Sequence, residues 1–300
     1  MKKSMSIILI IFLLFEVFPI VVSATTTNTA NNGTTGDCTW KLESTVLTIS
    51  GNGNMADYTY SSNLPWGTDI TEVIIEKGVT SIGDYSFYGC RSLISVTLPD
   101  GVTSIGRCSF ALCNSLKSIT IPNSLKTVGN SAFSNCSSLP GIIIPDGVTS
   151  IGEDAFRSCS LKNIVIPNSV TSIGFGVFCW NTSLTSMKVD ENNPTYYSSN
   201  NCIIEKSSNA LIAGCKTSIL PDNVTSIEEH AFSGIKLINI EIPDSVTKIS
   251  DFAFSGSDLT KITIPKSVTD IGYGAFYLCD ELTDVYYSGN KTDKNNIKIA

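Results

Sequence analysis

Hydrophobic and polar positions recur in one pattern along most of the chain, at an interval of slightly more than twenty residues. A Phe with similar neighbours marks each copy, at Phe87, Phe110, Phe133, Phe156, Phe178, Phe232, Phe254 and Phe276. A fixed interval of this length is the signature of a repeat solenoid, in which each copy forms one rung stacked on the last. The pattern therefore predicts a solenoid.

Each copy contains a segment of the form Leu-x-x-Ile-x-Ile-Pro, in which apolar and polar residues alternate. In residues 93–98, Val96 and Leu98 point to one side and the residues between them to the other, as in a β-strand. Pro99 ends the strand, because proline has no N–H to donate to a neighbouring strand. We expect these segments to stack as a right-handed parallel β-solenoid, closed by short turns or helical turns.

A second apolar pair and a Gly follow each strand segment. The pair is Val102 and Ile105 in one copy, and the next residue, Gly106, returns at the same place in most others. We expect a tight corner at this Gly, with the positive φ that glycine adopts at no steric cost. The column of Phe residues then fills the far side of the core, where each buried ring contributes about 1.5–3 kcal/mol.

The N-terminal segments precede the repeats and differ from them in composition. Residues 1–24 begin with a basic stretch, continue with an apolar run and end in small residues, which is typical of a secretory signal peptide cleaved after Ala24. The alternative is a membrane anchor, but Glu16 and Pro19 interrupt the apolar run. Residues 25–36 are polar and predict a flexible spacer. No later segment is apolar for long enough to cross a bilayer, so we expect no membrane span after signal removal.

Residues 37–69 do not match the repeat. Two alternating runs around a Gly/Asn turn predict a small N-terminal β cap that covers the first rung. Trp40 and Trp66 are interpreted as the core of this cap, and the alternative is a ligand platform. The solenoid is then expected at 70–290, followed by a polar C-terminal tail at 291–300.

One stretch within the solenoid, 191–214, interrupts the repeats. It contains two apolar runs around a polar turn, and these predict a β-hairpin that projects from the solenoid edge. A loop at 207–210 would set Cys202 opposite Cys215, which makes these two residues candidates for a disulfide. Insertions in solenoids often lie on a functional face. The alternative is a neutral excursion of the chain.

The ten cysteines do not form a metal-binding or redox motif. No C-x-x-C pair exists, so neither a zinc site nor a thioredoxin-like site is supported. A subset stands three residues after a column Phe, namely Cys90, Cys113, Cys136, Cys159 and Cys279. We interpret this subset as a ladder of buried free thiols. Disulfides within the ladder are the alternative, although parallel rungs hold equivalent side chains in line rather than in the crossed geometry that a disulfide needs.

The residues offer no motif for catalysis or for a bound cofactor. The only histidine, His230, stands two residues before a column Phe, where the other copies carry Tyr, Cys, Ser, Asp, Gly or Phe. Neither a phosphate-binding Gly loop nor a Ca²⁺ loop is present. The net charge of −7 and the even spread of the 20 basic residues argue against nucleic acid. We therefore expect a protein that is not an enzyme, with no cofactor, no metal and no nucleic-acid partner.

The recurring texts IPDGVTSIGEDAF and AFxxCxSLxxIxIP resemble the BspA-type leucine-rich repeats, also called the Treponema pallidum type. The resemblance covers about 70–290. It implies a parallel-stranded leucine-rich-repeat solenoid on an exported protein that binds host proteins, extracellular matrix or other microbes. It supplies no catalytic residues, and the sequence departs from cell-wall members in having no sortase-type LPxTG motif.

The outward strand positions form the candidate binding surface. Most of them are small, polar or β-branched, which predicts a flat face suited to a protein or glycan, without a pocket for a small molecule. Ile143 and Val165 lie on adjacent rungs and predict an exposed apolar patch, with Lys188 at the equivalent place on the next rung. Tyr196 and Tyr197 belong to the rung that leads into the insertion, and aromatic residues are favoured contact residues when they are exposed.

These observations predict an exported binding or adhesion protein, secreted or held at the cell surface. Its expected partner is a protein or glycan on host or neighbouring cells, and its oligomeric state stays open. The alternative is a structural or scaffold module of the cell envelope without a foreign ligand. That alternative predicts self-association of the purified chain.

Overall fold

The computed structural model describes residues 31–290 and 297–300. Within this range the chain is a parallel β-solenoid of about 11 turns, with 23 strands and no helix. The predicted signal peptide (1–24), the first half of the predicted spacer and residues 291–296 lie outside the described residues. The strands are β1 (Asn32–Thr35), β2 (Cys38–Glu43), β3 (Val46–Gly51), β4 (Gly53–Asn54), β5 (Glu72–Ile75), β6 (Val79–Ile82), β7 (Ser95–Thr97), β8 (Ser104–Ile105), β9 (Ser118–Thr120), β10 (Thr127–Val128), β11 (Ser150–Ile151), β12 (Asn163–Ile166), β13 (Ser172–Ile173), β14 (Ser186–Val189), β15 (Tyr196–Ser199), β16 (Cys202–Glu205), β17 (Ala210–Ala213), β18 (Ser226–Ile227), β19 (Lys248–Ile249), β20 (Lys261–Ile264), β21 (Asp270–Ile271), β22 (Asp284–Tyr287) and β23 (Lys298–Ile299).

Two ladders of parallel strands form the walls of the solenoid. The first ladder contains the Leu-x-x-Ile-x-Ile segments: β5 pairs with β7 and β7 with β9, so that Val73, Val96 and Ile119 lie in register. The second ladder contains the second apolar pair, and here β6, β8, β10, β11 and β13 pair in sequence order. The predicted parallel stacking of successive rungs is therefore confirmed.

The solenoid begins earlier than the repeat pattern predicts. β3 pairs in parallel with β5, with Leu47 beside Val73, so residues 46–51 already form a rung. Trp66 takes the place of the column Phe in this rung, with its ring centroid 5.7 Å from that of Phe87. The predicted boundary between cap and solenoid is therefore wrong. The first rung is hidden in the sequence because Trp66 replaces the Phe that marks the other copies.

The cap is the antiparallel hairpin of β1 and β2, and β2 pairs antiparallel with β3. Since β1 spans Asn32–Thr35, the prediction of a flexible spacer is wrong for these residues. The ring of Trp40 on β2 lies 5.9 Å from that of Trp66, and both side chains are buried. Their interpretation as core residues, rather than as a ligand platform, is confirmed.

The predicted Phe column forms the centre of the core. Within each run of rungs the Phe rings stack nearly parallel, with neighbouring centroids 5.1 Å to 6.0 Å apart. The cysteine column runs beside it. The thiols of Cys113, Cys136 and Cys159 each donate, at 3.2 Å, to the carbonyl of the Phe one rung earlier. Burial raises the pKa of the Cys159 thiol to about 12, so this thiol stays protonated and able to donate.

The predicted glycines stand at the corners of the rungs, but they are not needed there for a positive φ. Gly106, Gly129 and Gly152 do not have positive φ. Instead, a Cβ at each would lie 2.7 Å from the carbonyl carbon of the Gly one rung earlier, so glycine is required by the close approach of neighbouring backbones. Positive φ occurs two residues before and two residues after each column Phe, as at Asp154 and Ser158, both with a φ of 53°.

The two apolar runs of the insertion form the predicted antiparallel hairpin, β16 and β17, but this hairpin does not project from the solenoid edge. β15, β16 and β17 form an antiparallel meander, and β17 pairs in parallel with β18 of the next rung. Ile203 packs into the N-terminal part of the core and Ile204 into the C-terminal part, and both are fully buried. The predicted projection is wrong because the apolar runs of the insertion connect two parts of the core, and a projecting hairpin would leave these side chains in solvent.

The C-terminal residues continue the second ladder. β23 pairs in parallel with β21, so Lys298–Ile299 of the predicted C-terminal tail cover the last repeat strand of this ladder. In the described part of the chain, β22 pairs in parallel with β20. Val285 and Ile299 are 64% and 74% exposed, whereas their partners one rung earlier, Ile262 and Ile271, are buried and half-buried.

Candidate functional site

The strand face is defined here as the outward side of the first ladder, from Glu72 to Tyr287. Ile143 and Val165, which belong to neighbouring rungs, are 85% and 54% exposed. Lys188 is also exposed and lies in register with Val165, since β12 pairs with β14. The structure thus brings three of the predicted contact residues to one exposed strip.

Ile219 is a fourth exposed side chain of this face that the sequence analysis missed. It is 67% exposed and holds the same repeat position as Val165 and Lys188. The sequence predicts a rung that starts near Cys215, but the outward residues of this rung were not among the predicted contact positions. The signal that could have found it is Pro221, which ends this segment as Pro99 ends an ordinary one.

The two tyrosines of the insertion do not belong to the exposed strip. Tyr196 is 5% exposed, and its hydroxyl accepts a hydrogen bond of 3.1 Å from the backbone N–H of Ile173. Tyr197 is half-buried, and its hydroxyl accepts a 2.8 Å hydrogen bond from the Asn223 amide. The prediction of Tyr196 as a contact residue is wrong, because its ring fills the core beneath the insertion. Tyr197 packs against the core, and its role as a contact residue stays a prediction.

The first ladder is interrupted at two places. The first interruption is at residues 141–144, which form no strand. The second covers two neighbouring rungs, in which residues 217–220 and 239–242 form no strand. At the second interruption a groove of about 820 Å³ opens, lined by residues of four consecutive rungs, from Ser218 to Tyr286. The strand face is therefore not flat towards the C-terminal end of the solenoid, contrary to the prediction.

Cys202 and Cys215 are both buried free thiols in the structure. A bulge between β16 and β17 shifts the register, so that Ile203 faces Ala213, and Cys202 is not set directly opposite Cys215. Ser218 lies close to both, accepting a 2.8 Å hydrogen bond from the Cys215 backbone N–H and donating at 2.6 Å to the Asn201 carbonyl.

The Cys202–Cys215 disulfide stays a prediction, and counting thiols in the exported, unreduced and denatured protein tests it. We expect eight titratable thiols, which is the ten cysteines of the sequence less the two that are joined. Replacing Cys202 with Ser should then raise the count to nine, because Cys215 is released. A count of ten that falls to nine in the same variant would show that the link does not form.

The described residues contain no group of three or more His, Cys, Asp or Glu side chains that could hold a metal ion. They also form no helix long and apolar enough to pass through a bilayer. His230 stacks on Phe252, with ring centroids 5.2 Å apart, and its Nε2 atom lies 3.7 Å from Glu229. The imidazole of His230 thus contacts the ring of Phe252 and lies near the carboxylate of Glu229.

Comparison with protein families connects this architecture to known repeats. The model described as "BspA type Leucine rich repeat region" matches residues 61–185 and 203–297 in 6 copies. The chain belongs to the BspA-type leucine-rich repeat family. The first matched range begins at residue 61, before the rung that the sequence analysis took as the first, and so includes Trp66.

Solved structures support the same fold. A leucine-rich repeat protein from Eubacterium ventriosum is 32% identical, with a TM-score of 0.76 over 86% of this chain and 73% of its own. A leucine-rich cell surface protein from Faecalibacterium prausnitzii is 27% identical, with a TM-score of 0.53 over 89% and 97%. The pneumococcal vaccine antigen PcpA is 17% identical, with a TM-score of 0.58 over 87% and 82%, and shows the fold alone. No curated protein matches the chain.

Proposed function

We propose that this protein is exported and acts at or outside the cell surface as a non-enzymatic binding protein. Its strand face contacts a protein or glycan of a host or a neighbouring cell. Membership of the BspA-type family supports a surface role, as does the similar F. prausnitzii protein, which is described as a cell surface protein. The basic and apolar leader of residues 1–24 supports export.

The observation that carries the proposal is the exposed strip of Ile143, Val165, Lys188 and Ile219. Single exposed apolar residues are normal on a protein surface. Here three of them occupy the same repeat position on a face whose other outward residues are mostly small or polar, and they flank an exposed Lys. An apolar strip with a charged neighbour fits the composition of a protein interface, where apolar contacts supply affinity and charges favour the right partner.

The proposal predicts that negative charge on this strip weakens binding. The chain is incubated with extracellular matrix proteins and with intact cells of neighbouring species, and the bound fraction is measured for Ile143→Asp combined with Val165→Asp. Because each substitution places an unpaired carboxylate where an apolar contact forms, we expect affinity to fall at least tenfold, about 1.4 kcal/mol or more.

Thr97→Asp combined with Thr120→Asp is the matched control, since it adds the same charges at the same repeat position on two earlier rungs. We expect this control to bind as the unmodified chain does. Equal binding by both double variants would show that the strip is not the contact surface.

A structural module of the cell envelope is the second candidate, and the last rung favours it. The exposed apolar side chains of Val285 and Ile299 at this end of the solenoid favour association between chains. In this case no foreign partner is retained, and light scattering shows a mass that rises with protein concentration. A constant monomer mass together with a retained partner would exclude this candidate.

A further inference from the structure

Four consecutive residues of the strand face, 239–242, lack the backbone hydrogen bonds that equivalent residues make in the paired rungs, a feature they share with residues 141–144. Asn163–Ile166 pair along their whole length with β14, and Lys261–Ile264 pair with β22. Within the described residues, no backbone hydrogen bond joins 239–242 to either neighbouring rung. One bond crosses next to this stretch, from the Thr260 N–H to the Ile238 carbonyl at 3.3 Å.

The 820 Å³ groove lies over this unpaired segment. Both the outward residues Asn239 and Glu241 and the inward residues Ile240 and Ile242 line it. Ile240 and Ile242 are each 9% exposed, whereas their counterparts in β12 are 1% and 0% exposed, so the inward side chains are slightly more accessible at this rung.

The rim of the groove combines apolar and charged groups. Ile219 and Tyr286, which are 67% and 56% exposed, lie on the two outermost rungs of the groove. Glu241 and Lys261 lie between them and carry opposite charges. The groove therefore offers apolar contacts at its ends and backbone donors and acceptors in its middle, without a net charge that would select an anion or a cation.

We propose that this groove binds an extended polypeptide segment of the partner, which pairs with residues 239–242 as an added β-strand. The proposal rests on the proposed function and specifies the chemistry of the partner. An extended polypeptide presents N–H and C=O groups at the spacing with which the backbone groups of an unpaired strand can form hydrogen bonds. Exposed sheet edges recognise peptides in this way. A glycan site is typically built on aromatic faces, and Tyr286 is the only aromatic residue among those that line the groove.

A synthetic peptide with the sequence of residues 161–167 is a defined probe. This segment contains β12, which already pairs in full register with a neighbouring rung of the same fold. We expect saturating peptide to slow amide hydrogen exchange at 239–242 at least tenfold in the unmodified protein. A peptide methylated on alternate backbone nitrogens keeps its side chains but loses donors, and we expect its binding to be at least tenfold weaker.

Two variants of Glu241 separate backbone pairing from charge. Glu241→Pro removes one backbone N–H of the groove, whereas Glu241→Gln removes the same charge and keeps the N–H. We expect at least tenfold weaker peptide binding by Glu241→Pro and unchanged binding by Glu241→Gln. The melting temperature of the Pro variant should stay close to that of the unmodified protein, because this N–H has no partner among the described residues.

The proposal is overturned if the peptide leaves exchange at 239–242 unchanged, or if the methylated peptide binds equally well. Protection by N-acetyllactosamine instead would assign the groove to a glycan. Protection that rises with protein concentration alone would assign it to a second copy of the chain.

Two further outcomes separate the groove from the proposed function. If the Ile143 and Val165 double variant loses cell binding but the unmodified chain binds no peptide, the proposed function is retained and the groove is rejected. If the chain binds the peptide but no cell or matrix partner, the groove is retained as a peptide site and the proposed function is rejected.

Discussion

Replacing Phe156 with Ala is expected to lower the free energy of unfolding by about 3–5 kcal/mol. The side chain is fully buried, and its ring stacks between those of Phe133 and Phe178, with centroids 5.6 Å and 6.0 Å away. Removal of the ring leaves a cavity inside a column whose members touch both neighbours, so the rungs on each side cannot collapse into it. Urea unfolding followed by circular dichroism measures the change.

Phe175→Ala is the matched control for this prediction. Phe175 lies three residues before Phe178 but is 47% exposed and stands outside the column. The same change of side chain there should cost about 0.5 kcal/mol or less. Similar losses in the two variants would contradict the assignment of the column as the core of the solenoid.

The repeat itself could be predicted because its signal is redundant. A strand pattern, a second apolar pair and a Phe recur together, so the loss of one element in a copy does not hide the others. The rung at 46–51 was missed because two of these elements are altered in it. Its column residue is Trp66, and the strand stands next to the cap hairpin, whose alternation looks the same in sequence.

The candidate site was predicted only in part, for a physical reason. The outward positions of a strand follow from its period of two, and this placed Ile143, Val165 and Lys188 correctly. Exposure of the insertion depends instead on how three antiparallel strands fold back onto the core. No period in the sequence reports that packing, so Tyr196 was placed on the surface although it is buried.

The groove could not be foreseen from the repeat pattern at all. Residues 237–243 read as an ordinary strand segment, with the Leu, the two Ile and the Pro in their expected places. What distinguishes this rung from the paired ones is that residues 239–242 make no backbone hydrogen bonds to the neighbouring rungs among the described residues. One neighbour is the rung of Ser218, whose inward position carries a hydroxyl bonded to the Asn201 carbonyl rather than an aliphatic side chain. A sequence pattern describes each rung, whereas a ladder depends on pairs of rungs.

Replacing Gly129 with Ala is expected to destabilise the fold by about 1–3 kcal/mol. A Cβ at this position would lie 2.7 Å from the carbonyl carbon of Gly106 and 2.8 Å from the backbone nitrogen of Arg107. These are backbone atoms that the ladder holds in place, since the Gly129 N–H donates to the Ile105 carbonyl at 2.8 Å. The clash therefore cannot be relieved by turning a side chain and must separate two rungs. The urea midpoint at constant m-value measures the loss.

Gly141→Ala is the control, because it makes the same chemical change in the next rung. A Cβ there would meet nothing within 4 Å, and Gly141 does not have positive φ. Alanine has less backbone freedom than glycine in the unfolded chain, so this variant should be unchanged or more stable by about 0.4–1 kcal/mol. Opposite signs for the two variants would establish that the repeated Gly serves close packing of rungs. Equal and small effects would show that neighbouring rungs have room for a Cβ at this corner, contrary to the geometry.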